Sequence, residues 1–271
     1  MDRYVVMGNP VSHSLSPAIH AAFARAAGEA LAYERLLIPP ESFREHAARF
    51  FDEGGKGANV TLPFKVDAFD WAHARSNRAE VAGAANFLAM RDGRIFADNT
   101  DGAGLVRDLA DNNHVRLENS RVLVLGAGGA TRGIIAPLLA AKVAHIVIAN
   151  RTAARAMELA ARFRDRGAVE GLGLDAVPRT HYDVVLNATS TSTRGEELVL
   201  PDHALPRGAF AYDLAYGAGA RAFVERAKAA GMRASDGLGM LVEQAAESFE
   251  LWRGKRPSTA PVLAELRARM A

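Results

Sequence analysis

The sequence predicts an α/β protein of two domains with open, mainly parallel sheets, on three observations. Strand-like and helix-like segments alternate along the chain, the pattern that sets helices against a parallel sheet. The chain has 271 residues, and at roughly 150 residues per domain that length gives about two. A short apolar strand, Val122–Leu125, runs into a glycine-rich turn and then an apolar helix through Leu139.

Composition narrows the classes. Hydrophobic residues make up 49% and charged residues 24%, which excludes a disordered or collagen-like chain. There is no cysteine, so disulfides, thiolate nucleophiles and Cys-based zinc sites are excluded; no metal is called for. No apolar run approaches the roughly 20 residues of a membrane span. Met1-Asp2-Arg3 leads straight into Tyr4-Val5-Val6, which reads as a first strand rather than a signal peptide. These features predict a cytoplasmic protein without a membrane partner. The net charge of +2, with arginines spread along the chain, predicts no nucleic-acid partner. Of the 33 basic residues only 5 are Lys, at positions 56, 65, 142, 228 and 255.

Taken in order, Tyr4–Gly8, Ala32–Ile38 and Gly57–Leu62 read as strands. Pro17–Ala27 and Glu41–Phe51 between them have helical periodicity. Ser16 before Pro17 reads as a helix start with a capping hydroxyl. Phe87–Met90 and Arg94–Ala97 flank Asp92-Gly93, a hairpin signal, and Asp101 reads as the cap of the next helix. Beyond Val122–Leu125, strands are expected at His145–Ala149, Val184–Leu186 and Ala209–Leu214, with a helix from Ala153 to about Arg164. Leu238–Trp252 and Ser258–Arg269 read as two helices with no strand between them. They exceed what the second domain needs, so they are expected to return to the first.

The turn Gly126-Ala127-Gly128-Gly129-Ala130-Thr131 sits between a buried strand and a helix, the setting of a dinucleotide site. Glycines there permit the tight turn and the approach of a pyrophosphate to the helix N-terminus. The third glycine of that fingerprint is replaced by Thr131, and a structural turn without a ligand has the same pattern. After the next strand come Asn150-Arg151-Thr152, with Arg155 one helical turn on. An Asp or Glu at this point serves NAD, whereas Arg accommodates the 2′-phosphate of NADP, so NADP is favoured. Solvated helix-start arginines are the bland alternative.

Four polar clusters occupy strand ends and helix starts in the first hundred residues: Ser12–Pro17, Asn59–Lys65, Ala84–Asn86 and Asp98–Gly102. Hydroxyls and helix-start N–H groups around Ser14 and Ser16 suit a carboxylate. Read singly, Ser16, Asn86 and Asp101 are equally good caps or turn residues.

Together these segments resemble the shikimate dehydrogenase family. The residues that carry the resemblance are Gly8-Asn9-Pro10, Ser14-Leu15-Ser16-Pro17, Gly55–Thr61 with Pro63-Phe64-Lys65, and Asp98–Gly102. In the second half they are Gly126–Ala130, Asn150-Arg151-Thr152, Asn187-Ala188-Thr189-Ser190 and Asp236–Leu241. The resemblance covers essentially the whole chain. It implies a Rossmann-type NADP-binding domain over 102–237 and a smaller α/β substrate domain over 1–101, completed by helices in 238–271. It implies Lys65 and Asp101 as the catalytic pair, Ser14 and Ser16 on the substrate carboxylate with Tyr216 nearby, and Thr61, Asn86 and Gln244 on the ring hydroxyls or carboxylate. On the cofactor side it implies Gly126, Ala127, Gly128, Gly129 and Ala130 at the pyrophosphate. Asn150, Arg151, Thr152 and Arg155 would meet the adenosine phosphate, and Thr189, Leu214 and Gly237 complete the cofactor set, the last two near the nicotinamide.

Two departures from the family pattern are Phe87, where a threonine usually follows Asn86, and Ala215, where relatives often carry a bulkier residue. The activity implied is reversible reduction of 3-dehydroshikimate to shikimate with NADPH, on the route to aromatic amino acids, in a monomer or homodimer acting on a small molecule. A lysine suits the proton step because its amine can give up a proton, while a guanidinium stays charged. A surface salt bridge between Lys65 and Asp101 is the alternative to a catalytic pair. A quinate/shikimate dehydrogenase using NAD would be expected to carry an acid near position 150, and a non-catalytic NADPH-binding sensor would not need Lys65 and Asp101.

Overall fold

The apolar run Tyr4–Met7 forms the centre of β1 (Asp2–Gly8), which is hydrogen-bonded in parallel on both sides, to β2 (Leu31–Leu37) and β3 (Gly57–Val60). The computed structural model describes residues 1–189 and 198–270. The first sheet runs β2-β1-β3-β5-β6-β4, with β4 at Ala74–Arg75, β5 at Phe87–Arg91 and β6 at Arg94–Asp98. β3–β5 and β5–β6 are antiparallel, and the other pairs are parallel. Asp92 and Gly93, at φ 48° and 73°, form the two-residue turn that this hairpin demands. Helices α1 (Ser16–Ala27), α2 (Phe43–Asp52), α3 (Lys65–Trp71) and α4 (Asn77–Ala82) accompany this sheet. α2 and α3 bury Phe43, Phe50, Phe51 and Phe64 with Met7, Val60 and Leu88.

After α5 (Asp101–Arg107) the chain enters a second sheet in which every strand pair is parallel. Its strands are β7 (Arg121–Leu125), β8 (His145–Asn150), β9 (Val169–Gly173), β10 (Val184–Asn187), β11 (Phe210–Asp213) and β12 (Arg233–Asp236). They lie in the order β12-β11-β10-β7-β8-β9, the doubly wound arrangement whose order reverses between β7 and β10. α6 (Gly129–Ala140), α7 (Ala153–Ala161) and α8 (Arg221–Ala229) are the crossover helices. The strand centres read as continuous apolar runs because both faces are covered: Val122, Leu123, Val124 and Leu125 are all fully buried.

The chain closes with α9 (Leu238–Arg253) and α10 (Ala260–Met270). Two compact units result, Met1–Gly104 with Leu241–Ala271, and Leu105–Met240, comparable in length. The returning helices complete the first unit: the Trp252 indole donates to Leu88 O at 3.1 Å and lies over Gly57, where a Cβ would stand 2.2 Å from Nε1. Phe87 stacks on the same indole at 5.0 Å, so the residue that departs from the family pattern has become part of an aromatic core.

Two capping expectations are corrected. Ser16 is the first residue of α1, not its cap; Leu15 holds the cap position without a side-chain bond, and the Ser14 hydroxyl accepts from Ser16 N at 3.3 Å. Asp101 likewise lies inside the first turn of α5, and its carboxylate turns to Lys65 and Asn86 instead of capping.

Candidate active site and cofactor site

In the first unit three strand ends and helix starts converge on one pair of charges. Lys65 is the first residue of α3 and Asp101 the first of α5, and Lys65 Nζ donates to Asp101 Oδ2 at 2.5 Å. Their side chains are 14% and 7% exposed, far from the solvated surface pair that sequence left open. A carboxylate at the start of a helix also faces the positive end of its dipole. The other four lysines are exposed, three of them in surface ion pairs with Glu118, Glu225 and Glu29. Lys65 alone is set into the site.

Asn86 explains how the pair is aimed. It is 2% exposed, and its Oδ1 accepts from Thr100 N at 2.7 Å. That bond fixes which way the amide faces, so Nδ2 must point at Asp101 Oδ1 (2.8 Å), Thr100 Oγ1 (2.9 Å) and Gln244 Oε1 (3.1 Å). Backbone bonds reinforce the arrangement: Ala85 N donates to Lys65 O, Asn86 N to Asp98 O and Val60 N to Asn86 O. Gln244 comes from α9, and its Nε2 donates to Leu241 O at 2.9 Å. The structure thus brings Lys65, Asn86, Asp101 and Gln244 together, although Gln244 lies far along the chain.

It missed the residues behind them. Asn59 donates to Asn86 O and to Ser248 Oγ, and accepts from the Tyr33 hydroxyl at 2.7 Å. Burial pushes the Tyr33 hydroxyl well above its ordinary pKa, so it stays a neutral donor. Ser248 sits 3.3 Å from Thr100 Oγ1 and donates to Gln244 O. Asn59 and Thr100 stood inside recognised motifs; Ser248 had no signal beyond its place one turn after Gln244.

Thr61 follows β3, half-buried, its N–H on Met7 O. Ser16 opens α1 and Ser14 lies just before its cap residue, with the Ser14 hydroxyl 3.2 Å from Ser16 Oγ and the Arg35 guanidinium on Ser14 O at 2.6 Å. Hydroxyls, a helix N-terminus and a nearby cation together suit an anionic group. Tyr216 belongs to the second unit, next to Gly217, whose N–H donates to Asp236 Oδ2 at 2.9 Å.

In the second unit, Gly126 ends β7 at φ 103°, and a Cβ there would stand 2.9 Å from Ala188 O. Only glycine makes this turn without strain. Thr131 stands where the fingerprint has its third glycine; its buried hydroxyl donates to Gly126 O at 3.0 Å and closes the turn. At Gly128 and Gly129, which lead into α6, a Cβ would meet nothing within 4 Å, so the loop is open to a ligand. Ala127 and Ala130 flank these glycines.

Asn150 ends β8 and donates to Thr152 O at 3.0 Å. Arg151, Thr152 and Arg155 are exposed around the start of α7. Among the described residues neither arginine has a carboxylate partner. Thr189 donates to Asn187 Oδ1 at 2.7 Å, while Ser190 lies outside the described residues. Leu214 and Gly237 touch directly: a Cβ on Gly237 would stand 2.3 Å from Leu214 O, and Gly237 N donates to Ala215 O. An open glycine cradle, no acid after β8 and two guanidiniums without carboxylate partners after that strand fit a dinucleotide with a 2′-phosphate.

A doubly wound unit with an NADP-type cradle, joined in one chain to a unit carrying a lysine–aspartate pair, defines an NADP-dependent oxidoreductase. Comparison with known proteins agrees. A family model described as shikimate dehydrogenase substrate binding domain matches residues 6–88. Shikimate / quinate 5-dehydrogenase matches 108–205, and the shikimate 5'-dehydrogenase C-terminal domain matches 237–267. A shikimate dehydrogenase (NADP(+)) from Cupriavidus necator is 54% identical, covering 98% of this chain and 94% of the relative. Among solved structures, an Ael1 enzyme from Pseudomonas putida superposes with a TM-score of 0.90 at 45% identity, covering 98% of both chains. Shikimate 5-dehydrogenase from Thermus thermophilus, in complex with NADP(H) and shikimate, gives a TM-score of 0.85 at 31% identity and 99% coverage of both. The chain belongs to the shikimate dehydrogenase family.

Proposed function

We propose that this enzyme interconverts 3-dehydroshikimate and shikimate with NADP, Lys65 and Asp101 forming the catalytic pair. The observation that carries the proposal is the 2.5 Å contact between Lys65 Nζ and Asp101 Oδ2, set in a cluster of buried hydrogen bonds. NADPH, when bound, supplies the hydride. As the ketone carbon is reduced, its oxygen gathers negative charge, and the Lys65 ammonium gives it a proton. In the reverse direction the Lys65 amine takes the hydroxyl proton. Asp101 holds Nζ in place with an opposite charge beside it, and a proton taken up from solvent re-forms the ammonium after each turnover.

Ser14 and Ser16, at the start of α1, hold the substrate carboxylate. Thr61, Asn86 and Gln244 meet the ring hydroxyls or the carboxylate, and Tyr216 is assigned to the carboxylate. The N–H groups at Gly126, Ala127, Gly128, Gly129 and Ala130 take the pyrophosphate at the start of α6. Asn150, Arg151, Thr152 and Arg155 take the adenosine 2′-phosphate, and Thr189, Leu214 and Gly237 complete the cofactor site. We place the enzyme in the cytoplasm, consistent with a chain without cysteine, acting as a monomer or homodimer. The division of labour is a substrate domain over 1–101 and 238–271 and a cofactor domain over 102–237.

A steady-state assay with shikimate and NADP tests the reading directly. Reduction of NADP at a saturable rate is expected, slower with NAD. Folded protein that turns over neither cofactor would overturn it.

A further inference from the structure

The segment Asp236–Met240 leads into α9 and carries Gly237, which the proposed function places in the cofactor site and the family resemblance sets near the nicotinamide. Four observations show what holds it. Tyr212 in β11 is fully buried, and its hydroxyl oxygen accepts from Met240 N at 3.2 Å. The same hydroxyl donates to Asp108 Oδ2 at 2.6 Å. Asp108, itself buried, opens a π-helical turn, Asp108–Asn112, and its Oδ1 accepts from Asn112 Nδ2 at 2.9 Å. The carboxylate also lies hard against Gly239: a Cβ there would stand 1.9 Å from Oδ1.

Leu238, Gly239 and Met240 form the first turn of a 16-residue helix, whose N–H groups have no intrahelical acceptor and carry its positive end. Asp108 supplies the opposite charge, and the Tyr212 oxygen takes the Met240 N–H. Upstream, Leu238 N donates to Asp236 Oδ1 and Gly237 N to Ala215 O. A buried carboxylate is costly to keep and often dispensable for stability. Its position, locked to the start of α9 by one hydroxyl, is what an apolar filler could not reproduce.

We infer that Asp108 and Tyr212 are positioning residues for hydride transfer: they fix the first turn of α9, and through it the Asp236–Gly237 turn. The inference rests on the proposed function, because it presumes that Gly237 meets the nicotinamide. Neither residue is assigned to substrate, cofactor or proton, so both act through the backbone they hold.

The test uses the full-length enzyme with Tyr212→Phe and, as a second variant, Asp108→Asn. Each is expected to lower kcat about tenfold while the shikimate KM stays within about twofold of wild type. The primary isotope effect on kcat, measured with NADPH deuterated at the transferring position, should rise as hydride transfer becomes slower. Amide exchange at Met240 should speed up about tenfold in Tyr212→Phe. A purely structural role would lower the melting temperature while leaving kcat and the isotope effect of the folded enzyme unchanged, and that result overturns the inference. If the wild type itself shows no turnover, the functional reading fails separately. Met240 exchange then still decides whether Tyr212 holds the turn, and unchanged protection sinks that as well.

Discussion

Arg78 meets Asp98 side-on, with Nε 3.0 Å from Oδ1 and Nη2 2.7 Å from Oδ2. The carboxylate also accepts from the Ser76 hydroxyl and from Asn99 N, and the third guanidinium nitrogen reaches Glu247 on α9 at 2.7 Å. Burial pushes the Asp98 carboxyl up, but these bonds and the Arg78 charge outweigh it and leave the pKa below its ordinary value. Asp98 ends the strand that delivers Asn99, Thr100 and Asp101, so this bidentate pair anchors the segment that carries the proposed catalytic aspartate.

Arg78→Leu therefore leaves a buried carboxylate without its main partner. Breaking a buried pair costs about 3–5 kcal/mol; with the Arg78 side chain 35% exposed, solvent screening brings the expected loss to about 2–3 kcal/mol. Because the folded pKa of Asp98 is depressed, its contribution is present above the ordinary carboxylate range and lost as pH falls through the folded value. Urea unfolding at neutral pH should separate variant from wild type, and the gap should narrow toward strongly acidic pH. A gap that does not change with pH contradicts the assignment.

Lys65→Ala removes the proposed proton donor and should lower kcat by about 10²–10⁴, the usual range for general acid–base catalysis, with little change in the shikimate KM. Lys65→Arg is the more informative variant. It keeps a cation beside Asp101 but cannot release a proton at working pH, so its kcat should fall nearly as far. An arginine variant that retains most of the activity would show that only the charge matters.

The residues that make local contacts were legible in the sequence, and those that depend on distant partners were not, except where the family resemblance named them, as it did Gln244. Val122–Leu125, the glycine turn and the Asp92-Gly93 hairpin announce themselves through apolar runs and positive-φ chemistry. β9 did not, because Val169–Gly173 contains two glycines; Gly171 is required where α7 packs, since a Cβ would stand 2.2 Å from Ala156 O. β4, two residues long, and β12 exist only through pairing with β6 and β11. Lys65 and Asp101 could be named from motifs, whereas Arg78, Ser248 and Tyr212 matter through partners 20, 148 and 104 positions away. Ser16 was misread because Pro17 marks a helix start without saying which residue caps it.

Arg151 is proposed to separate the two cofactors. Its guanidinium is exposed just beyond β8, with no acid at the strand end to receive a ribose hydroxyl. A hydrogen bond to a charged group contributes about 1.5–3 kcal/mol, so Arg151→Ala should raise the KM for NADP by about 10- to 150-fold and leave that for NAD nearly unchanged. Equal losses for both cofactors would mean that Arg151 does not read the 2′-phosphate.

His20 sets an acid limit on stability. Its ring is buried between Tyr33, stacked at 4.2 Å, and the rings of Phe23, Phe249 and Trp252. Neither ring nitrogen has a hydrogen-bond partner among the described residues. Burial pushes its pKa down from 6.5 to about 3. Between those values the unfolded chain binds a proton that the folded chain refuses, so stability falls as pH drops from about 6.5 toward 3 and is unaffected above that window. At pH 5 the loss from this one residue is about 2 kcal/mol. His20→Phe fills the same stack without a titrating group, so the stability difference between pH 7.5 and pH 5 should shrink by that amount relative to wild type. Carboxylates elsewhere titrate alike in both proteins and cancel in the comparison. Identical acid sensitivity of the two would place the titrating group elsewhere.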